Sequence, residues 1–425
     1  MLHNQFSLLT TKRFLPLFLT QFLGAFNDNV FKNAMVILIT YQLAEQAGVD
    51  GRLMVTAAAG VFIFPFFILS ATAGQLADKY EKSALIRKVK AAEICIMLIG
   101  SIALFSGDIS LLMLSLFLLG AQAAFFGPLK YGILPDHLKE SELVGGNAMV
   151  SASTFIAILT GTIFGGLFIM AENGVELIAF SVMLFSFTGW ICSRFIPETR
   201  AASPALRINK NFIFETFRSM SYIFQNRQVA YSIIGISWFW FVGATFLAQF
   251  PNFVKYKIGA NEEVATLFLT AFSIGIAIGA LLCNSLLRGR ISAKYVPLGG
   301  LGIVIFSIDL FLASNGLQPA SEQLMGMDQF TDNPMNIRIF SDLLLISISG
   351  GIFVVPLYAV MQSACGKNLR SRTIASNNIL NSMMMVVSAI IPMLLFAAGF
   401  DVDSVFLMVA ISTLVVTGFL YFSSL

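Results

Sequence analysis

Charge is what this sequence has least of. Charged residues make up 12% of the chain against 57% hydrophobic, where a soluble domain carries roughly 25% charged. A soluble chain of 425 residues with so few charges could not cover its own surface. Cysteine is sparse as well. Cys95, Cys192, Cys283 and Cys365 lie in or at the ends of apolar runs, with no metal spacing and no pair in an external loop. They read as free buried thiols, which excludes a disulfide framework. The stretch after Lys12 and Arg13 mimics a signal peptide but is too long, contains Asp28 and lacks a small-x-small cleavage site. It is expected to be retained. The net charge of +3 carries no nucleic-acid signal, because the basic residues have another use.

What the chain does have is apolar runs of about 20 residues, the length that crosses a bilayer core. They predict an all-α membrane protein with twelve spans: 14–42, 53–77, 84–106, 109–134, 143–170, 175–197, 229–254, 262–287, 295–315, 340–364, 374–399 and 402–423. With the N-terminus inside, 21 of the 26 lysines and arginines fall in inner connections, among them Lys90 and Lys130. Arg52, Lys255, Lys257 and Arg338 fall outside, and Lys32 lies within span one. One missed span would invert every later loop, so the asymmetry supports the count and places both termini in the cytoplasm.

The longest inner connection, 198–228, separates six-span bundles at 1–197 and 229–425. Within it, "NFIFETFRSMSYIFQN" sets Ile213, Phe217, Met220 and Phe224 on one helical stripe, away from Glu215, Arg218 and Gln225. This reads as an amphipathic helix on the inner membrane surface. The halves also repeat. "PLKYGILPDHLKESELVGGNAM" (128–149) parallels "PLYAVMQSACGKNLRSRTIASNNIL" (356–380), with Ser141 to Asn147 matching Ser371 to Asn377. Parallel six-span repeats suggest a central cavity that opens to alternate sides.

"GQLADKYEK" (74–82) resembles the loop signature of the major facilitator superfamily, with Glu81 where that pattern has its second glycine. "AFNDNVFKNA" (25–34), "GPLKYGILP" (127–135) and "GGIFVVPL" (350–357) are similar to the superfamily's bacterial lysophospholipid transporters, including those fused to acyltransferases. The resemblance covers nearly the whole chain. It implies a twelve-helix facilitator fold and a flippase moving lysophospholipid toward the cytoplasmic leaflet of the bacterial inner membrane. One departure stands out: the span-seven arginine of that family is missing, and "GATFLAQF" (243–250) offers Leu247 and Gln249 instead.

Asp28 lies roughly 21 Å into span one, where an ionised carboxylate needs a partner or a wet cavity. Lys32 is one turn on and able to pair with it. Asn27 and Asn29 flank it with amides suited to a phosphate or an ammonium. The bland alternative is a buried pair that locks spans together. Lys130 is either a cavity-lining cation or a residue that snorkels to the interface. Tyr131, Gln249 and Asn377 complete the candidate substrate-contact set.

Asp78, in the superfamily pattern, docks on the start of span eleven near Thr373, where the helix dipole favours an anion. Lys79, Lys82, Arg370 and Arg372, with the helix-bending Pro128 and Pro356, join it as a candidate conformational switch. Glu93, three residues after Lys90, reads as an intrahelical pair. "GTIFGG" (161–166) reads as a close-packing motif. His137 and Glu142 have the spacing of an acyltransferase site but no catalytic domain around them, so no enzyme is expected, and no cofactor. The expected partners are a lysophospholipid, the lipid bilayer and a cytoplasmic acyltransferase, with the chain a monomer. The competing function is a proton-coupled exporter of drugs or siderophores that protonates Asp28. A membrane scaffold is disfavoured, since midplane charges cost too much without a use.

Overall fold

A computed structural model of the protein describes residues 5–43, 46, 48, 51–209, 211–224, 226–315, 317 and 324–423. Lys210 and Gln225, both in the long connection, lie outside the described residues. Among the described residues twelve long helices form the body: α1 (Leu15–Leu38), α2 (Gly51–Lys79), α3 (Lys82–Ser106), α4 (Ile109–Gly132), α5 (Glu140–Ile169), α6 (Gly174–Ser193), α7 (Arg227–Asn252), α8 (Glu262–Leu287), α9 (Val296–Asn315), α10 (Pro334–Ala364), α11 (Arg370–Ala397) and α12 (Val402–Phe422). A shorter surface helix spans Phe212–Ile223. The face where α1 begins is called the near face below, and the opposite one the far face.

Polar residues fix where the helices start. Glu81, Asp108, Asn226, Asn261 and Asn333 each accept first-turn N–H groups of α3, α4, α7, α8 and α10, satisfying donors that the helix itself leaves unpaired. These caps explain the main shift from the expected bounds. Asn333 starts α10 at Pro334, six residues ahead of its apolar run, so Arg338 lies within the helix and pairs with Asp309 of α9.

Among the described residues, 11 helices are long and apolar enough to cross a membrane. Only α1 among the twelve falls short. Gln21, Asn27, Asp28, Asn29, Lys32 and Asn33 dilute its apolar content, although its length, about 36 Å at 1.5 Å per residue, is ample.

The first six and the last six helices pack mainly among themselves. α1 lies on α5 so closely that a Cβ at Gly161 would come within 2.5 Å of the Phe26 carbonyl, and one at Gly165 within 2.4 Å of that of Val30. Small residues are what permit such backbone contact. Between the two sets, α5 meets α8 and α2 meets α11. The surface helix rests on α2 and α11. Glu215 and Ser219 are buried, while Phe212, Ile213, Phe214, Phe217 and Phe224 face outward. Beside a membrane the outward medium is lipid, so aromatics belong there.

Candidate substrate site and near-face closure

α1 carries the polar residues about halfway along its length, and its neighbours decide which of them stay free. Asn27 is fully buried and donates to Glu93 Oε1 of α3 (3.4 Å). Asn29 donates to the Ala25 carbonyl (2.7 Å) and packs beside Gly161. Both flank Asp28 in sequence yet turn into the bundle. Asp28 itself is half-buried, and its Oδ1 has no hydrogen-bond partner. The expected ion pair with Lys32 does not form: the Lys32 ammonium lies over the Phe62 ring of α2, 5.3 Å from its centroid. A cation over an aromatic face keeps its charge available.

Four further charges act on Asp28: Glu93, Lys90, Lys32 and Lys130. Lys90 and Glu93 form a fully buried pair, and Gln122 of α4 donates to Glu93 Oε2 (2.8 Å). Lys90 is therefore not a connection residue, as the sidedness count had it. It lies eight residues into α3, and Gly24 and Gly189 leave room for its ammonium. Lys130 is half-buried on α4, 5.0 Å from the Tyr131 ring centroid.

Tyr131 does not open onto the same space. Its ring stacks on Tyr358 of α10, with centroids 4.7 Å apart and planes 6° from parallel. Trp240 of α7 donates to the Tyr358 hydroxyl (3.2 Å), and Phe155 of α5 stacks on Trp240 (6.2 Å). These aromatics cross between the two helix sets, from Tyr131 at the near end of α4 to Trp240, 13 residues into α7. Asn377 lies on the second-set side, fully buried. With the Asn381 amide turned to satisfy its neighbours, Asn377 Nδ2 donates to it at 3.0 Å, while Asn377 Oδ1 has no partner. Gln249 is not brought to Asp28. It sits 22 residues into α7, about 33 Å from the near end, bonded to Asn252 (3.4 Å).

Below the aromatics, the hydrogen bonds joining the two helix sets all lie toward the near face, among the described residues. Asp78, fully buried, accepts from the Ser371 amide (3.0 Å), the Arg372 amide (3.4 Å) and Arg372 Nε (3.1 Å), all in the first turn of α11. Asp136 takes Lys82 (3.0 Å) and Arg370 (3.1 Å) together. Asn147 and Gln362 exchange two hydrogen bonds, at 2.7 and 3.0 Å. Gln5 reaches the Leu281 carbonyl (3.0 Å). Lys79 turns to Tyr80 (5.6 Å) and joins none of these. Pro128 and Pro356 are buried inside α4 and α10. Next to Pro128, Gly127 lets Asn378 approach so closely that a Cβ would come within 2.4 Å of its Nδ2.

The Asp136 hub, Gln122 and the Asn147–Gln362 exchange were not among the sequence candidates. Asp136 sits in a short helical turn after Pro135, and only folding brings a lysine and an arginine to it. Glu81, the departure from the loop signature, has a task of its own. It caps α3 and takes the Thr199 amide (2.9 Å) and hydroxyl (3.0 Å).

Twelve membrane-length helices in two sets, joined at one face and holding an unpartnered carboxylate at mid-depth, define a helical membrane protein of the two-bundle transporter type. The comparisons narrow this. The Major Facilitator Superfamily profile matches residues 17–389, and the chain belongs to that family. It is 28% identical over 376 residues to the lysophospholipid transporter LplT of Escherichia coli (strain SE11), covering 87% of this chain and 85% of the relative. The LplT of Shigella sonnei (strain Ss046) matches equally. In fold, the chain is similar to the human organic anion transporter MFSD10 (TM-score 0.73, 11% identity, 96% and 99% of the two chains). A bacterial homologue of the iron transporter ferroportin, in an outward-facing state, gives a TM-score of 0.67 at 13% identity over 95% and 99%.

Proposed function

We propose that the protein flips lysophospholipids across the bacterial inner membrane toward the cytoplasmic leaflet by alternating access. The observation that carries this reading is Asp28, half-buried on α1 with its Oδ1 unpartnered, with Lys32, Lys90 and Lys130 as the cations that act on it. A carboxylate among ammonium groups complements a head group that carries a phosphate, with or without an amine. The 28% identity to lysophospholipid transporters supports the same substrate class. Asp28, Lys32 and Lys130 contact the head group in this reading, and Asn27 and Asn29 hold α1 so that Asp28 faces it. Tyr131 and Asn377 border its path, and Gln249 meets it nearer the far face.

The near face is cytoplasmic, with both termini there, and the units 1–197 and 229–425 rock about the 198–228 linker. Asp78, Lys82, Arg370 and Arg372 hold the cytoplasmic side shut, and Pro128 and Pro356 serve as bends. The chain works as a monomer that delivers its product to a cytoplasmic acyltransferase. Purified protein in liposomes tests the reading. Fluorescent lysophospholipid should flip without an imposed proton gradient, and a chainless cationic dye should not move. Transport of the dye that depends on a proton gradient, with no lysophospholipid flipping, would replace this reading with the exporter.

A further inference from the structure

A cavity of about 490 Å³ opens at the far face, away from Asp28, where α7 and α11 end and α12 begins. Its volume falls in the range of small-ligand sites, roughly 300–1,000 Å³. Two helix ends build it. Past Asn252, α7 continues as a wider turn, Phe253–Ile258, which carries Tyr256 and Lys257. α11 stops at Ala397, and Gly399, at φ 86°, takes the left-handed conformation that turns the chain sharply. Phe400 and Asp401 follow that turn onto the cavity wall, joined by Phe396 from the last turn of α11.

The charges there are unequally engaged. The Lys257 ammonium is 2.8 Å from Asp403 and 3.8 Å from Asp401. Asp403 is buried, and its Oδ1 also accepts the Ser404 amide (2.9 Å). Asp401 is 79% exposed, and its side chain caps no N–H of α12. It is therefore the carboxylate left to meet a ligand. The Lys255 ammonium lies by the Tyr256 ring, 5.4 Å from its centroid, whereas Phe396 and Phe400 keep exposed rings. A loosely held carboxylate beside open aromatic rings suits an ammonium group. Lys257, close by, offers its cation to an adjoining phosphate. One turn back along α11, Met393 and Leu394 are exposed where the medium is lipid, a track for an acyl chain.

We propose that this cavity is a second binding site, which receives the head group of an ethanolamine lysophospholipid at the far face. The ammonium meets Asp401, Phe396 and Phe400, and the phosphate meets Lys257. The occupant's being the incoming substrate rests on the lysophospholipid reading above. Asn252, also on the cavity wall, donates to Gln249 (3.4 Å), which that reading puts on the substrate path. The site lies at helix ends, the level at which head groups sit. Two-chain phosphatidylethanolamine carries the same head group, so the test separates the two sources.

Leu317 lines the cavity. Replaced by cysteine in a background without the four native cysteines, and carrying a small trifluoromethyl label, it reports occupancy by fluorine NMR. Lysophosphatidylethanolamine should shift the signal saturably and bind about fivefold more tightly than lysophosphatidylglycerol, the scale of an exposed ion pair. Asparagine starts a helix as well as aspartate does, so Asp401→Asn leaves α12 intact. It should weaken lysophosphatidylethanolamine about fivefold and leave lysophosphatidylglycerol no weaker. Phe400→Leu, which removes a ring, should weaken lysophosphatidylethanolamine about threefold, and Asp28→Asn should leave the titration unchanged. No saturable shift, or no preference between the two lysolipids, overturns the site. Two-chain phosphatidylethanolamine in nanodiscs that holds the signal at its shifted position overturns the substrate assignment and gives the cavity to bulk lipid. Protein that shows the lysolipid shift but flips no lysophospholipid overturns the proposed function and leaves the site standing.

Discussion

Asp78→Asn should unlock the near face. Asp78 is fully buried at the end of α2 and accepts three hydrogen bonds from the first turn of α11, two from backbone amides and one from the Arg372 guanidinium. An asparagine keeps the shape and one accepting oxygen. It loses the charge-assisted bond to Arg372, about 1.5–3 kcal/mol, and the favourable meeting of an anion with a helix N-terminus, about 0.3–1 kcal/mol. These contacts exist only while α2 and α11 are together. The loss therefore falls on the balance between closed and open near faces, about 2–4 kcal/mol. At 1.4 kcal/mol per tenfold, the open population rises at least about 30-fold. A cysteine placed at Ala375, buried on α11 against Gly74 of α2, reports this in a background without the four native cysteines. Its labelling by a water-soluble thiol reagent should quicken at least tenfold in Asp78→Asn. A rate within twofold of the Asp78 parent would refute the reasoning.

Other consequences follow from single contacts. Gly161→Val should cost at least about 1–3 kcal/mol by overpacking, since even a Cβ meets the Phe26 carbonyl at 2.5 Å; the yield of folded protein in detergent, read by size-exclusion chromatography, should collapse. Asn147→Ala leaves the buried Gln362 amide unpaired, at about 1–3 kcal/mol, and should favour the open near face, whereas Asn147→Leu with Gln362→Leu should sit near wild type in the same labelling assay. Burial would raise the Glu81 carboxyl, but the Thr199, Ser83 and Ala84 amides outweigh it and hold its pKa below the usual range. Its stabilisation is thus present above the unfolded value of about 4.3 and is lost as pH falls through the lower, folded value. Limited proteolysis of residues 197–203 should be flat from about pH 8 to 5 and rise only in stronger acid.

Much of this architecture is legible in the chain because lipid leaves few choices. Runs of about 20 apolar residues and one-sided lysines and arginines give the helix count. The polar cluster on α1 announces itself by interrupting such a run. Side-chain partners are another matter. One-turn spacing let Asp28 and Lys32 be paired on paper, yet Lys32 turns to Phe62, a residue 30 positions away that only packing brings near. Lys90 was counted as a loop cation because Lys82, Arg87 and Lys88 precede it, and nothing local says that α3 has already entered the bundle. Asp136 lacked any local signature, since its partners come from α3 and α11.

The central claim is that the free carboxylate on α1 faces the substrate. The most direct measurement is the initial rate of lysophospholipid flipping by Asp28→Asn protein in liposomes, normalised to folded protein. Asn at this position keeps shape and volume, and Asp28 Oδ1 has no protein partner to lose, so packing predicts little change. The account predicts a fall of at least tenfold with the protein still folded, and a smaller loss in Lys130→Arg than in Lys130→Ala, because charge survives while geometry changes. A wild-type rate in Asp28→Asn would contradict it and return Asp28 to a structural role.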